Sequence, residues 1–166
     1  PPPAIRTKYD TLIEAGVISA PEFELATRSA RRQNTDLQEV LVNEFQVTLS
    51  AIGEALAKFF NVPYEPFKAE RIKPLDLLRN LKRDFAQQNQ WIPIEDNKDG
   101  LQILATDPEQ VRNARIVQNI FPKSKLQYRV TTNQEFQKTL DQFYGIADDS
   151  ASVDELLSDL EDGGEE

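Results

Sequence analysis

Two stretches, LIEAGVIS at Leu12–Ser19 and LVNEFQVT at Leu41–Thr48, repeat one pattern 29 positions apart. Each copy has two adjacent apolar residues, a short polar interval, then an apolar residue followed by Ser or Thr. A second helical pattern follows each copy, PEFELATRSA in the first and SAIGEALAKF in the second. Helix, tight turn, hydroxyl cap, helix, made twice, limits what the chain can fold into. Helices this short are unstable alone in water, so the four must bury their apolar stripes against one another.

The local signals place the elements. Tyr9, Leu12 and Ile13 share a helical face running from Arg6, and Gly16 supplies a stop. Ser19 caps the second helix, with Pro21 in its first turn, Glu22 at the capping-box position and Phe23, Ala26 and Ala30 inside. Thr35 or Asp36 opens a third helix with Leu37, Val40 and Leu41 inward. Thr48 caps a fourth, where Ile52, Ala55, Leu56 and Phe59 form one stripe. Asn61–Pro66, with two prolines, ends the repeat.

Pro74 then predicts a continuous helix over Leu75–Gln87, with Leu77, Leu78, Leu81 and Phe85 as its apolar side. Beyond it the period changes from helical to alternating. Gln90–Glu95 and Leu101–Thr106 read as strands joined through the NKDG turn at Asn97–Gly100. Asp107-Pro108 with Gln110 starts a helix carried by Val111, Ala114, Ile116, Val117 and Ile120 to Pro122. Leu126–Val130 is a third strand, and Thr132 or Asn133 caps a last helix through Phe143, closed by Gly145. The expected class is α+β: a tandem helix-turn-helix unit over 6–66, a small three-stranded β-β-α-β-α unit over 67–146, and a tail over 147–166.

That tail accounts for the charge. The net charge is −9, yet residues 147–166 hold nine acids and no Lys or Arg, so the remainder is neutral. Ser152 and Glu155 form a capping box ahead of Val153, Leu156, Leu157 and Leu160, a stripe that reads first as a tethered acidic linker and otherwise as a segment that folds on a partner. The absence of any Met, including an initiator, points to a fragment of a longer protein.

Whole classes of chemistry are excluded by residue type. With no His and no Cys, the chain lacks the usual neutral-pH base, thiolate nucleophile and zinc ligands. It has no phosphate-binding loop, no GxGxxG and no HExxH. Glu14 and Glu54, the acids of mixed context, lie on helical faces that read as solvated surface. No catalytic, cofactor or metal site is expected. Arg28, Arg31 and Arg32 cluster at a helix end, where the macrodipole accounts for them. Lys68, Arg71, Lys73, Arg79, Lys82 and Arg83 form a basic stretch, but Glu70, Asp76 and Asp84 interrupt it, so nucleic acid is not an expected partner.

The phrase ALAKFFNVPYEPF at Ala55–Phe67 resembles the N-terminal domain of the E-type ATPases of type II secretion and type IV pilus assembly. The landmarks that follow keep the family's order: the helix at Asp76–Leu81, the strand at Trp91–Ile94, LQILATDP at Leu101–Pro108, and Phe143-Tyr144. The resemblance implies a non-catalytic docking domain, cytoplasmic and peripheral at the inner membrane. It would join its own ATPase domain to the cytoplasmic domain of a platform protein, the L component in type II secretion. Within that implied role, the partner-binding candidates are Arg79, Lys82, Arg83, Val153, Leu156, Leu157 and Leu160.

Some relatives bind cyclic di-GMP through two copies of an RLG-containing repeat. In this chain Thr7, Lys8 and Tyr9 stand at the first RLG, and Asp36, Leu37 and Gln38 at the second. Phe45 takes the glycine position of the second copy, and Ala30 and Phe59 replace the terminal Gln of each. Arg6 lies one residue out of register. Both arginines of the pattern are lost, so the repeat is expected to be scaffold, with a cyclic di-GMP sensor of the same family as the alternative reading.

Overall fold

A computed structural model describes residues 7–145. Four helices come first: α1 (Asp10–Glu14), α2 (Ala20–Gln33), α3 (Leu37–Phe45) and α4 (Leu49–Phe60). Their starts are set by the expected side chains. Ser19 accepts from the Glu22 N–H while the Glu22 carboxylate accepts from the Ser19 N–H, a complete capping box. Asp36 caps α3 and Thr48 caps α4. The copies differ at their turns. Gly16 takes φ +75 after α1, whereas after α3 the left-handed residue is Gln46, at φ 54, and Phe45 stays helical.

α1 packs on α4 and α2 on α3, the pairing that results when two copies exchange across a pseudo-two-fold axis. Leu12, Ile18, Ala26, Val40, Leu41, Val47, Ile52 and Leu56 fill the space between them, and Val130 from the sheet completes this core.

Two short helices follow, α5 (Leu75–Leu78) and α6 (Arg83–Asn89), where the sequence predicts one continuous helix. Lys82 between them is extended, with φ −86 and ψ 157. The physical reason lies in packing. Leu78 enters the core with Ile92, Ile94, Phe136 and Leu140, and Leu81 enters the other with Trp91, Leu101 and Ile103. On an unbroken helix, residues three apart share a face and could not reach both cores. The helix expected from Asp107 to Pro122 is likewise divided into α7 (Pro108–Ala114) and α8 (Ile116–Ile120) by Arg115 at φ 60. The break buries Val117 and leaves Ile120 exposed.

The sheet has the order β1 (Trp91–Asn97), β2 (Gly100–Ala105), β3 (Leu126–Val130). β1 and β2 form the expected hairpin, where the Asp99 N–H donates to Asn97 Oδ1 at 2.9 Å within the turn. β3 runs parallel to β2 after crossing over through α7 and α8. Alternating side chains then build a core on each face. Ile92, Ile94 and Leu104 meet α5, α6 and the last helix, α9 (Asn133–Tyr144); Trp91, Leu101, Ile103 and Tyr128 meet Leu81, Val111 and Val117.

Candidate functional site

Since the two copies are offset by 29 residues, each position has a counterpart, and the polar positions can be followed pairwise. Tyr9 and Gln38 are counterparts, and they bond to each other: Gln38 Nε2 donates to Tyr9 Oη at 3.0 Å, buried inside the repeat. Burial pushes the Tyr9 phenol up, and it stays a neutral partner. Gln38 also accepts from the Asn133 N–H through Oε1 at 2.9 Å, and Asp36 accepts from Asn133 Nδ2 at 3.0 Å. The second copy's polar positions are therefore spent on tying the start of α9 to the helical repeat. Leu37 is half-buried against the repeat core.

The first copy differs. The Thr7 hydroxyl donates to Asp10 at 2.6 Å, fixing the entry to α1. Thr7 and Lys8 face a cleft of about 650 Å³ whose wall is Phe59 and Phe60 from α4, in edge contact at 4.9 Å between centroids. Asp107, Glu109, Gln110 and Asn113 at the start of α7 close the far side. Asp107 is occupied as the cap of that helix, accepting from the Gln110 N–H at 3.0 Å. Two of the first-copy RLG positions, Thr7 and Lys8, and the second-copy terminal position thus converge on one space, with an aromatic wall, one cation and two carboxylates. Ala30 is buried in the core and Phe45 packs half-buried against it, so neither contributes to this cleft.

Between repeat and sheet, the segment YEPF at 64–67 is held by two buried carboxylates. Glu135 on α9 accepts from Tyr64 Oη and from the Phe67 N–H, each at 2.7 Å, and from the Thr132 hydroxyl at 2.9 Å. Glu65 receives Arg71 at 2.6 Å, Arg129 at 2.7 Å and Lys68 at 3.2 Å. Burial pushes the Glu65 carboxyl up, but Arg71 and Arg129 outweigh it and hold the group below the ordinary range. Burial and the Glu135 bond drive the Tyr64 phenol well above its ordinary value. These contacts position Phe67 and the 68–75 segment, and have the character of structure rather than catalysis.

The basic stretch that the sequence singles out is divided by the fold. Arg79 is exposed and pairs with the exposed Asp76 at 3.0 Å. Lys82 is exposed on extended backbone. Arg83 turns inward instead, donating to Asp141 at 2.6 Å and to the Gly145 carbonyl. The same stretch of chain exposes two apolar residues that the sequence analysis did not select: Ile72 is 85% exposed and Leu75 is 69% exposed. Leu75 is the first residue of the short α5. Val153, Leu156, Leu157 and Leu160 lie outside the described residues, as does Arg6. Among the described residues no helix is long and apolar enough to cross a membrane.

No curated protein matches the chain. Among solved structures, MshE with cdg is similar at a TM-score of 0.61, with 18% identity over 84% of this chain and 100% of that one. The N-terminal domain of XpsE is similar at a TM-score of 0.54, with 16% identity over 86% of this chain and 100% of that one. At these identities the likeness establishes the fold. The family is established by sequence, through a span that begins at the end of α4 and takes in the whole sheet. Residues 60–150 match the MshEN domain, more than half of the chain, and the chain belongs to that family, the N-terminal domains of E-type secretion ATPases.

Proposed function

We propose that this domain docks its parent ATPase onto the cytoplasmic domain of the inner-membrane platform protein of a type II secretion or type IV pilus machine. It acts without catalysis of its own and holds the ATPase peripherally at the membrane. The observation that carries this reading is the exposure of Ile72 and Leu75 on a stretch of chain that also exposes Lys73, Arg79 and Lys82. Scattered apolar exposure is ordinary, but two large side chains this open three residues apart, with exposed cations on the same stretch, have the composition of a protein-contact patch. The cations suit a platform surface with carboxylates. Calorimetry with the platform protein's cytoplasmic domain tests it. The double variant Ile72→Asp with Leu75→Asp should weaken binding by about ten-fold or more at unchanged melting temperature. Unchanged affinity would move the interface elsewhere, and no binding by the parent domain would remove the docking reading.

Ligand binding at the repeat is the second reading, favoured by the convergence of Thr7, Lys8, Phe59 and Phe60 on one cleft. The loss of both repeat arginines argues against cyclic di-GMP, but a similar domain, MshE, is solved with cdg. Phe59 and Phe60 offer stacking surface, and Lys8 offers one cation to a phosphodiester. Titration with cyclic di-GMP distinguishes the readings. Saturable heat, lost in Phe59→Ala with Lys8→Ala, would make the repeat a sensor. Absence of heat would leave it as scaffold.

A further inference from the structure

β3 is an edge strand that the chain itself covers over part of its length. Val130 N–H donates to the Pro63 carbonyl at 2.9 Å, and the Val130 carbonyl accepts from the Glu65 N–H at 2.8 Å, a parallel bridge centred on Tyr64. On the other side, the Lys125 carbonyl and the Thr131 N–H bond to β2. Backbone groups alternate along a strand, so those of Leu126 and Tyr128 point outward with Val130. They are not reached by the 63–65 segment, because Asn61 at φ 56 turns the chain away into α4.

Beside this open half-edge lies a cleft of about 550 Å³, lined by Asn61, Val62, Pro63, Arg112, Gln118, Ser124 and β3 itself. Two of its lining residues carry buried polar atoms without a hydrogen-bond partner, Tyr128 Oη and Gln118 Oε1. Among the described residues that line it, Arg112 alone carries a charged side chain, and its guanidinium lies over the Tyr128 ring at 5.0 Å from the centroid. Stacking holds that cation in place next to the edge.

The opposite edge of the sheet is blunted. β1 carries Pro93, which has no N–H to offer, and the register breaks between Pro93 and Glu95. β3 has neither device along Leu126–Val130.

We propose that the Leu126–Tyr128 edge takes an extended acidic segment of a partner protein as an added strand. Main-chain pairing would continue the line begun by residues 63–65, and a carboxylate of the segment would meet Arg112. The site is separate from the Ile72 and Leu75 patch and stands or falls without it. Two fluorescent peptides serve as probes, Thr-Val-Glu-Val-Glu-Val-Thr and its counterpart with Lys for Glu, read by anisotropy and by amide shifts of the labelled domain. The acidic probe should saturate, with shifts concentrated at Leu126, Tyr128 and Val62, and the basic probe should bind about ten-fold more weakly. Arg112→Glu, an exposed position, should reverse that preference at unchanged melting temperature. No saturable binding of the acidic probe, shifts confined to other elements, or an Arg112→Glu variant with the original preference would each overturn the proposal.

Discussion

Gln38 donates to Tyr9 from the same station of the other repeat copy, so the pseudo-two-fold relationship of the helical unit is marked by a buried hydrogen bond across it. Gln38 also holds the first N–H of α9. One amide therefore closes the repeat on itself and fastens the sheet half to it.

Gln38→Ala should destabilise the domain by about 1–3 kcal/mol, since it orphans the Tyr9 hydroxyl and the Asn133 N–H together. Tyr9→Phe removes one of the two bonds to Gln38 and keeps the ring, so its effect should be smaller. Urea unfolding of both variants checks the order, and an equal or reversed order would show that the bond to α9 contributes nothing.

Gly53 sits in the middle of α4, where alanine is ordinarily favoured. A Cβ there would lie 2.2 Å from the Tyr64 ring, which is pinned by its bond to Glu135. Gly53→Ala should therefore lower stability by about 1–3 kcal/mol despite its better helix propensity. A raised melting temperature would mean that Tyr64 yields freely.

Glu65 supplies a pH dependence with a definite sign. Its folded pKa is depressed, so its stabilisation is complete above the unfolded carboxyl value of about 4.3 and is lost as pH falls through the lower folded value. Glu65→Gln should cost about 3 kcal/mol near neutrality, because Arg71, whose side chain is 10% exposed, keeps an uncompensated charge. The variant should also show a shallower acid decline than the parent between about pH 5 and pH 2. Parallel declines in thermal melts across that window would place the acid sensitivity elsewhere.

Arg79, Lys82 and Arg83 should separate cleanly. Arg83→Ala removes the ties to Asp141 and Gly145, and should destabilise by about 1–3 kcal/mol. Arg79→Ala and Lys82→Ala should stay within about 0.5 kcal/mol, as exposed positions do. Denaturant midpoints decide it, and a stability effect at Lys82 equal to that at Arg83 would contradict the observed exposure.

What the sequence discloses is what short-range chemistry fixes. Ser19 with Glu22, Asp36, Thr48, Asp107 and Thr132 each bond backbone within three residues, so every one of these caps is readable locally. The breaks at Lys82 and Arg115 are not readable, because they answer to which face of a distant sheet Leu78, Leu81 and Val117 must reach. Capping boxes speak through neighbours; Glu135 holds residues 68 and 71 positions away. The first cleft was half visible. Thr7, Lys8 and Phe59 stand out by alignment to the repeat, whereas Asp107 and Glu109 join them only through folding. Ile72 gave no signal, since a lone apolar residue in a charged segment has no period to betray it.

Val130 is a sheet residue that finishes the core of the helical repeat. The two halves thus share a wall, and a load applied along β3 is felt by the packing of α1–α4 without any hinge between them. An event at the sheet edge, such as the arrival of a partner strand, therefore has a mechanical route to the repeat and to the cleft at Phe59.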